Sequence, residues 1–163
     1  MDLIERIKRM NEEMNRKFPY INAGGCAKSS FTISKSLSRI KGVSKVGIVI
    51  TWNRAEYKYK SKRLHRIKIT DENVLDCILS HNWDHIMVKF RYKGKVYYVD
   101  PLKIVQAKDL EFMNIDSHYG TVSPSAIVKI IRKCPIKWNK VWASLNKDNE
   151  ARLAIKRHLL NTS

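Results

Sequence analysis

An alternating segment near the middle of the chain, which folds back on itself, constrains the fold most. From His85 to Tyr92 the residues alternate between an apolar face and a second face that is mostly charged, and Lys95 to Asp100 returns through β-branched and aromatic residues. The apolar face has Ile86, Val88, Phe90 and Tyr92, and the second face has Met87, Lys89 and Arg91. Between them, Lys93-Gly94 is a two-residue sequence typical of the tight turn of a β-hairpin. The sequence therefore predicts two antiparallel strands joined by this turn.

The open end of this hairpin brings two chemically useful side chains together. His85 begins the first strand and Asp100 ends the second, and residues near the two open ends of a hairpin come within hydrogen-bonding reach. Each has a rival: His81 lies just before the strand, and Asp84 could replace Asp100, although it points to the opposite side of the strand from His85. Asp100 could also be only a strand-ending turn residue before Pro101.

The patterns on either side of the hairpin predict further helices and strands. Leu3, Ile7, Met10 and Met14 recur at helical spacing, and a second helix is expected from Cys26 to Lys41, ended by Gly42. The remaining expected elements are a buried strand from Val43 to Trp52, one or two strands over 57–69, a short helix over 70–79, a helix from Ser123-Pro124 to Pro135, a short helix over 138–142 and a longer one over 149–160. This order predicts an α+β fold with an antiparallel sheet and extra C-terminal helices.

Length and cysteine content narrow the class of protein. With 163 residues, 44% of them hydrophobic, the chain can form a single domain, 1–163, that has its own core. No apolar run approaches the roughly 20 residues of a membrane span, and the amphipathic start is unlike a secretory leader. Cys26, Cys77 and Cys134 are odd in number, far apart and free of the C-x-x-C spacing, so we expect reduced thiols, no metal site and a cytoplasmic protein.

The net charge of the chain indicates which kinds of partner it attracts. Lys and Arg number 32 against 15 Asp and Glu, a formal net charge of +17, which predicts attraction to nucleic acid or to an acidic protein. The alternative is a solvated face in a protein whose gene is rich in Lys, Ile and Asn codons, as in a phage or virus, which would place it in the host cytoplasm or the virion. The candidate anion- or partner-binding residues are Arg54, Lys58, Lys60, Lys62, Arg63 and Arg66.

Cys26 occupies a position that favours a reactive sulfur. The free N–H groups and the dipole of a helix N-terminus stabilise a thiolate, and Cys26 begins the second expected helix. Gly24 and Gly25 would let a substrate backbone pass close to the sulfur, with the backbone N–H of Cys26 directed at a developing oxyanion. A second oxyanion donor is expected from the side-chain amide of Asn22 or the hydroxyl of Tyr20.

Three of these residues form a candidate catalytic set. A cysteine hydrolase needs a nucleophile, a base that takes and returns a proton, and a group that orients the base. Cys26, His85 and Asp100 could supply the three. The competing interpretation of a lone cysteine is a small apolar core residue, which is what we expect of Cys77 and Cys134.

The same residues carry a resemblance to a known family. Gly24-Gly25-Cys26-Ala27 at a helix start and the segment from His85 to Pro101 resemble the core of the transglutaminase-like branch of the papain-like cysteine hydrolases. The resemblance covers about 22–101 and implies a helix packed on an antiparallel sheet. It also implies that Cys26 is the nucleophile, His85 the general base and acid, and Asp100 the group that orients His85, without metal or cofactor. The chain departs from papain itself in having Tyr20 where papain has Gln.

These observations predict a cysteine peptidase or amidase that acts on a protein or peptide substrate through a thioester acyl-enzyme. Water would release the acyl group, and an amine in its place would make the enzyme a transglutaminase; a deamidase is the related alternative. A different class remains open, namely a non-catalytic basic module of the same fold that holds nucleic acid or an acidic protein. The oligomeric state is not indicated by the sequence.

Overall fold

The computed structural model describes residues 1–19, 21, 26–51, 70–72, 85–109, 121–123, 125–126 and 148–160. Within this part of the chain there are three helices and five strands, which confirm the α+β class. The helices are α1 (Leu3–Lys17), α2 (Cys26–Leu37) and α3 (Asp148–Leu160). The strands are β1 (Val43–Thr51), β2 (His85–Tyr92), β3 (Lys95–Val99), β4 (Ile104–Gln106) and β5 (Thr121–Val122).

The strands form one antiparallel sheet in the order β4-β3-β2-β1-β5. The predicted hairpin is confirmed, with Val88 of β2 opposite Val99 of β3 and Ile48 of β1. Its turn residues Lys93 and Gly94 have φ angles of 48° and 76°, the left-handed values that a tight hairpin turn needs. Sequence reasoning missed β4 and β5, because three and two residues are too few to show a pattern.

The helix α2 begins at Cys26, as predicted, but it ends at Leu37 rather than at Lys41. The backbone N–H of Ile40 donates to the carbonyl of Leu37 at 3.1 Å, a tighter i to i+3 bond than an α-helix makes. Gly42, at a φ of 86°, then leads the chain into β1. The helical spacing of the sequence therefore continued through tight turns that are not α-helix.

The helices cover one face of the sheet. Ile86, Val88 and Phe90, which alternate along β2, are fully buried in the same core cluster as apolar residues of all three helices. The hydroxyl of Ser30, also fully buried, donates to the carbonyl of Ile86 at 3.0 Å and ties α2 to β2. A smaller cluster of Val49, Met87 and Tyr98 occupies the opposite face of the sheet, as the alternation predicts.

The first and last helices are joined through the carboxylate of Glu13. Lys17, Arg157 and His158 contact this carboxylate at 2.7, 2.6 and 2.7 Å, and its side chain is 13% exposed. The hydrogen bonds from Arg157 and then Lys17 outweigh the effect of burial and lower the pKa of Glu13 to about 2. An ionised Glu13 therefore adds ion pairs to a contact between α1 and α3 that also buries apolar residues of both helices.

Several predicted elements lie outside the described residues: the strands over 57–69, nearly all of the short helix over 70–79, most of the helix from Ser123-Pro124 and the helix over 138–142. The closing helix over 149–160 is confirmed by α3. In the described ranges, no helix has the length and apolar character needed to span a bilayer.

We expect Glu13→Gln to lower the free energy of unfolding by roughly 1–2 kcal/mol at neutral pH, because charge-assisted bonds between α1 and α3 are lost. The pKa of Glu13 is lower in the folded state than its ordinary value of 4.5, so its contribution is present above that value and is lost as pH falls toward 2. Urea unfolding of both proteins across acidic pH should show the difference shrinking with acid. Glu12→Gln, an exposed neighbour on α1, is the matched control; an equal loss there would contradict the assignment.

Candidate active site

The open end of the hairpin brings His85 and Asp100 together, as the sequence predicts. His85 Nε2 lies 2.7 Å from Asp100 Oδ2. The β2–β3 register places Lys89 opposite Tyr98, and its continuation puts Asp100 diagonal to His85, within side-chain reach. The side chains are 16% and 6% exposed, so this contact is largely shielded from water.

The second oxygen of Asp100 is held by the backbone that follows it. Oδ1 accepts the backbone N–H of Leu102 at 2.7 Å and that of Lys103 at 2.8 Å, while the backbone N–H of Asp100 donates to the Lys103 carbonyl at 2.9 Å. Asp100 is therefore both the turn residue and the partner of His85, two roles that the sequence left as alternatives. The turn fixes the carboxylate, so Oδ2 faces the ring in one orientation.

Cys26 completes the set from the helix side. It is the first residue of α2, where the helix dipole favours negative charge, and its side chain is hydrogen-bonded to His85. Because Nε2 of His85 is occupied by Asp100, Nδ1 is the ring nitrogen left for the sulfur. The packing of α2 on β2 thus places Cys26, His85 and Asp100 in one hydrogen-bonded row. Cys26 is 1% exposed.

The imidazole of His85 lies between two groups that favour its charged form. Burial by itself would lower the pKa of His85, but the hydrogen bonds to Asp100 and Cys26, together with the electrostatic influence of both partners, raise it to about 10. The ring therefore carries a proton on both nitrogens at neutral pH. Such an imidazolium can stabilise a thiolate and can donate a proton to a leaving group.

The first helix supports the Asp100 turn through two asparagines that sequence reasoning missed. Asn11 Nδ2 donates to the carbonyls of Asp100 and Pro101, both at 2.9 Å, and Asn15 Nδ2 donates to the carbonyl of Leu102 at 2.7 Å. Asn11 is 6% exposed and lies four residues after Ile7 on the apolar face of α1. A polar side chain on the apolar face of a helix needs hydrogen-bond partners in the core. The position of Asn11 on that face is therefore the sequence feature that could have predicted its supporting role.

The other predicted site residues lie outside the described part of the chain. These are Asn22 and Tyr20, the two glycines before Cys26, the rivals His81 and Asp84, Cys77 and Cys134, and the basic residues Arg54, Lys58, Lys60, Lys62, Arg63 and Arg66. Among the residues that are described, no three His, Cys, Asp or Glu side chains are grouped to hold a metal ion.

The site thus contains a sulfur at a helix N-terminus, a charged imidazole and a carboxylate held by its own turn. Such an arrangement can activate a nucleophile, move a proton and keep the proton carrier in place. Comparison of the chain with protein-family models, curated proteins and solved structures finds no match.

We expect Asp100→Asn to lower the pKa of His85 from about 10 toward its ordinary value of 6.5, because a neutral amide removes the carboxylate charge and the charge-assisted bond. An NMR titration of the His85 ring measures this shift directly. Asp2→Asn removes an equal charge at the opposite end of the hairpin, where Asp2 contacts Lys93, and should leave the His85 midpoint unchanged. An unchanged midpoint in Asp100→Asn would show that the carboxylate does not hold the ring.

We expect Asn11→Leu to have two effects, since Leu has a similar volume but cannot donate to the carbonyls of Asp100 and Pro101. Unsatisfied buried carbonyls should destabilise the protein by about 2–3 kcal/mol, and a loosened turn should lower the His85 midpoint. Urea unfolding and the ring titration measure the two effects separately. Met10→Ala, a fully buried neighbour on α1, should destabilise by about 2–5 kcal/mol without moving the midpoint. An equal midpoint shift in both variants would indicate general loosening rather than positioning.

Proposed function

We propose that the protein is a cysteine hydrolase, a peptidase or amidase that cleaves a protein or peptide amide through a thioester acyl-enzyme. The observation that supports this function most is the double engagement of His85, whose ring is bonded to Asp100 on one side and to Cys26 on the other. A core cysteine that serves packing alone needs no such partner. The position of Cys26 as the first residue of α2 adds to the support.

In the proposed reaction, the Cys26 thiolate attacks the carbonyl carbon of the amide and forms a tetrahedral intermediate. The intermediate collapses as the C–N bond breaks, and the His85 imidazolium gives its proton to the departing amine. The acyl group remains on sulfur as a thioester. His85, now neutral, takes a proton from water as the water attacks the thioester, which releases the acid and restores thiolate and imidazolium. Asp100 holds the ring in orientation throughout.

The raised pKa of His85 has a direct meaning for this cycle. At neutral pH the resting ring is charged, so the proton that the leaving amine needs is already in place when attack begins. Loss of the thiolate charge on acylation removes one of the influences that hold the proton on the ring. The ring can therefore act as acid before the thioester forms and as base after it.

The papain-like, transglutaminase-like arrangement belongs to the same proposal. It is supported by a cysteine at the start of a helix, α2, packed on an antiparallel sheet whose neighbouring strands bring in the histidine and the aspartate. Transglutaminase and deamidase chemistry share the thioester with hydrolysis. The acyl group passes to water in hydrolysis and to an amine in a transglutaminase reaction.

The low exposure of Cys26 bears on which molecules can react. The sulfur belongs to a residue that is 1% exposed, so a substrate has to displace the atoms that cover it. A small electrophile meets less obstruction than a peptide does. Peptide turnover therefore tests whether a substrate can reach the sulfur, and labelling by a small reagent tests whether the sulfur is reactive.

We expect the protein to generate new peptide termini from a mixed peptide library, detected by mass spectrometry, and we expect Cys26→Ala to abolish them. His85→Ala should reduce cleavage by roughly 10²–10⁴-fold because acid and base catalysis is lost. Addition of a dansylated amine to the same reaction distinguishes transfer from hydrolysis, and a gain of one mass unit on Gln would indicate deamidation.

Two matched variants control this experiment. Cys77→Ala removes a different thiol, and His158→Ala removes the histidine that contacts Glu13 rather than Cys26, so both should retain activity. Cleavage that survives Cys26→Ala would overturn the proposal. If the library stays intact and iodoacetamide labels Cys26 no faster in the wild type than in His85→Ala, the hydrolase proposal also fails.

A further inference from the structure

The two ends of the central hairpin differ in character. One end carries His85, Asp100 and the start of α2, and the other carries the Lys93-Gly94 turn, the first residues of α1 and the turn that joins α2 to β1. The strand β2 runs eight residues between them, which at about 3.3 Å per residue separates the ends by roughly 23 Å. Groups at the turn end are therefore too far away to act in the candidate active site.

The turn end is densely basic. Six exposed cationic residues lie in three segments at this end, namely the turn after α2, the start of β1 and the hairpin turn with its flanking strand residues: Arg39, Lys41, Lys45, Arg91, Lys93 and Lys95. Ser44 pairs with Arg91 and Tyr92 pairs with Lys95, so β1 and the hairpin are direct neighbours, and the turn after α2 leads straight into β1. We call this set the basic end. Asp2 is the carboxylate that contacts it, at 2.7 Å from Lys93, and within the described ranges the other five cations form no ion pair.

Two lysines of the basic end hold unfavourable backbone conformations. Lys45 has a φ of 51° and Lys93 a φ of 48°, the left-handed region that glycine and asparagine adopt more readily. In the described part of the chain, these two lysines are the residues other than glycine that have a positive φ. Asparagine would suit the backbone of the hairpin turn better than lysine does, and the Lys93 ammonium contacts Asp2 and lies over the Tyr92 ring. Backbone conformations of this kind cluster at functional sites.

A β-bulge in β1 sets the direction of the Lys45 side chain. The pairing of β1 with β2 shifts between Ser44 and Gly47, which leaves Lys45 and Val46 outside the regular register. A bulge bends its strand and turns a side chain away from the position it would have in a regular ladder. Lys45 is exposed beside the segment that carries Lys41 and opposite the strand that carries Arg91. The bulge thus adds a positive charge to an end that already has five.

We propose that the basic end binds nucleic acid through its phosphate backbone, independently of the proposed hydrolase function. Phosphate recognition needs several long cationic side chains and little apolar contact. An acidic protein would need an apolar centre in the interface, and a membrane surface would need apolar side chains to insert. Among the described residues, Met1 and Leu153 are the exposed large apolar side chains, and only Met1 adjoins this end. The chemistry of the basic end therefore fits a phosphate chain best.

The test compares the wild type with the double variant Lys45→Asn, Lys93→Asn. Asparagine tolerates the left-handed backbone and the exposed Asp2–Lys93 ion pair adds little stability, so the variant should unfold at nearly the wild-type temperature while it loses two charges. With a short fluorescein-labelled DNA duplex as probe, we expect affinity to fall roughly tenfold at about 0.1 M salt. We also expect the slope of log affinity against log salt to decrease by about 2, since each lost phosphate contact removes about 0.9.

The matched control removes two charges elsewhere. Arg152→Gln, Lys156→Gln changes two exposed cations of α3 by the same total charge and should bind the duplex nearly as well as the wild type. An equal loss in both variants would mean that net charge alone attracts DNA, which overturns the proposal. Binding to phosphatidylserine vesicles or polyglutamate without binding to the duplex would overturn it as well. Cys26→Ala should bind DNA with the affinity of the wild type. DNA binding can therefore be tested whether or not the protein is a hydrolase.

Discussion

The carboxylate of Asp100 is the contact on which the candidate site depends. One oxygen accepts from His85 at 2.7 Å, and the other accepts two backbone N–H groups of the turn that follows. The carbonyl of Asp100 in turn accepts from Asn11 at 2.9 Å, so the first helix, the hairpin and the turn meet at one residue. A buried carboxylate with all of these partners is held in one orientation, and it transmits that orientation to His85.

The sequence could predict the parts of the structure that show a clear period or a clear turn. The alternation in β2, the Lys93-Gly94 turn and the spacing of Leu3, Ile7, Met10 and Met14 in α1 determined those elements. The pairing of His85 with Asp100 followed from hairpin geometry. The end of α2 at Leu37 did not follow, because the tight turns after it repeat nearly the same spacing. Nor did the support from Asn11 and Asn15, which depends on where α1 docks and is a property of tertiary packing.

The distribution of charge separates two potential tasks along one hairpin. At the open end, burial would lower the pKa of His85, but the hydrogen bonds to Asp100 and Cys26 raise it to about 10, and solvent reaches little of the contact between His85 and Asp100. At the turn end, six cations face solvent and two of them are lysines with left-handed backbones. A nucleic acid bound at the turn end would keep the protein attached to that nucleic acid, and the candidate active site at the open end would remain accessible. Long-range attraction of this kind is suited to localisation, and short-range bonding to chemistry.

The central claim is that His85, held in place by Asp100, activates the sulfur of Cys26. The rate at which iodoacetamide alkylates Cys26 at neutral pH, read on the Cys26 peptide by mass spectrometry, tests it most directly when the wild type is compared with His85→Ala and Asp100→Asn. We expect the wild type to react roughly tenfold faster than either variant, because the sulfur otherwise loses the ring that activates it or the orientation of that ring. Equal rates in the three proteins would contradict the claim.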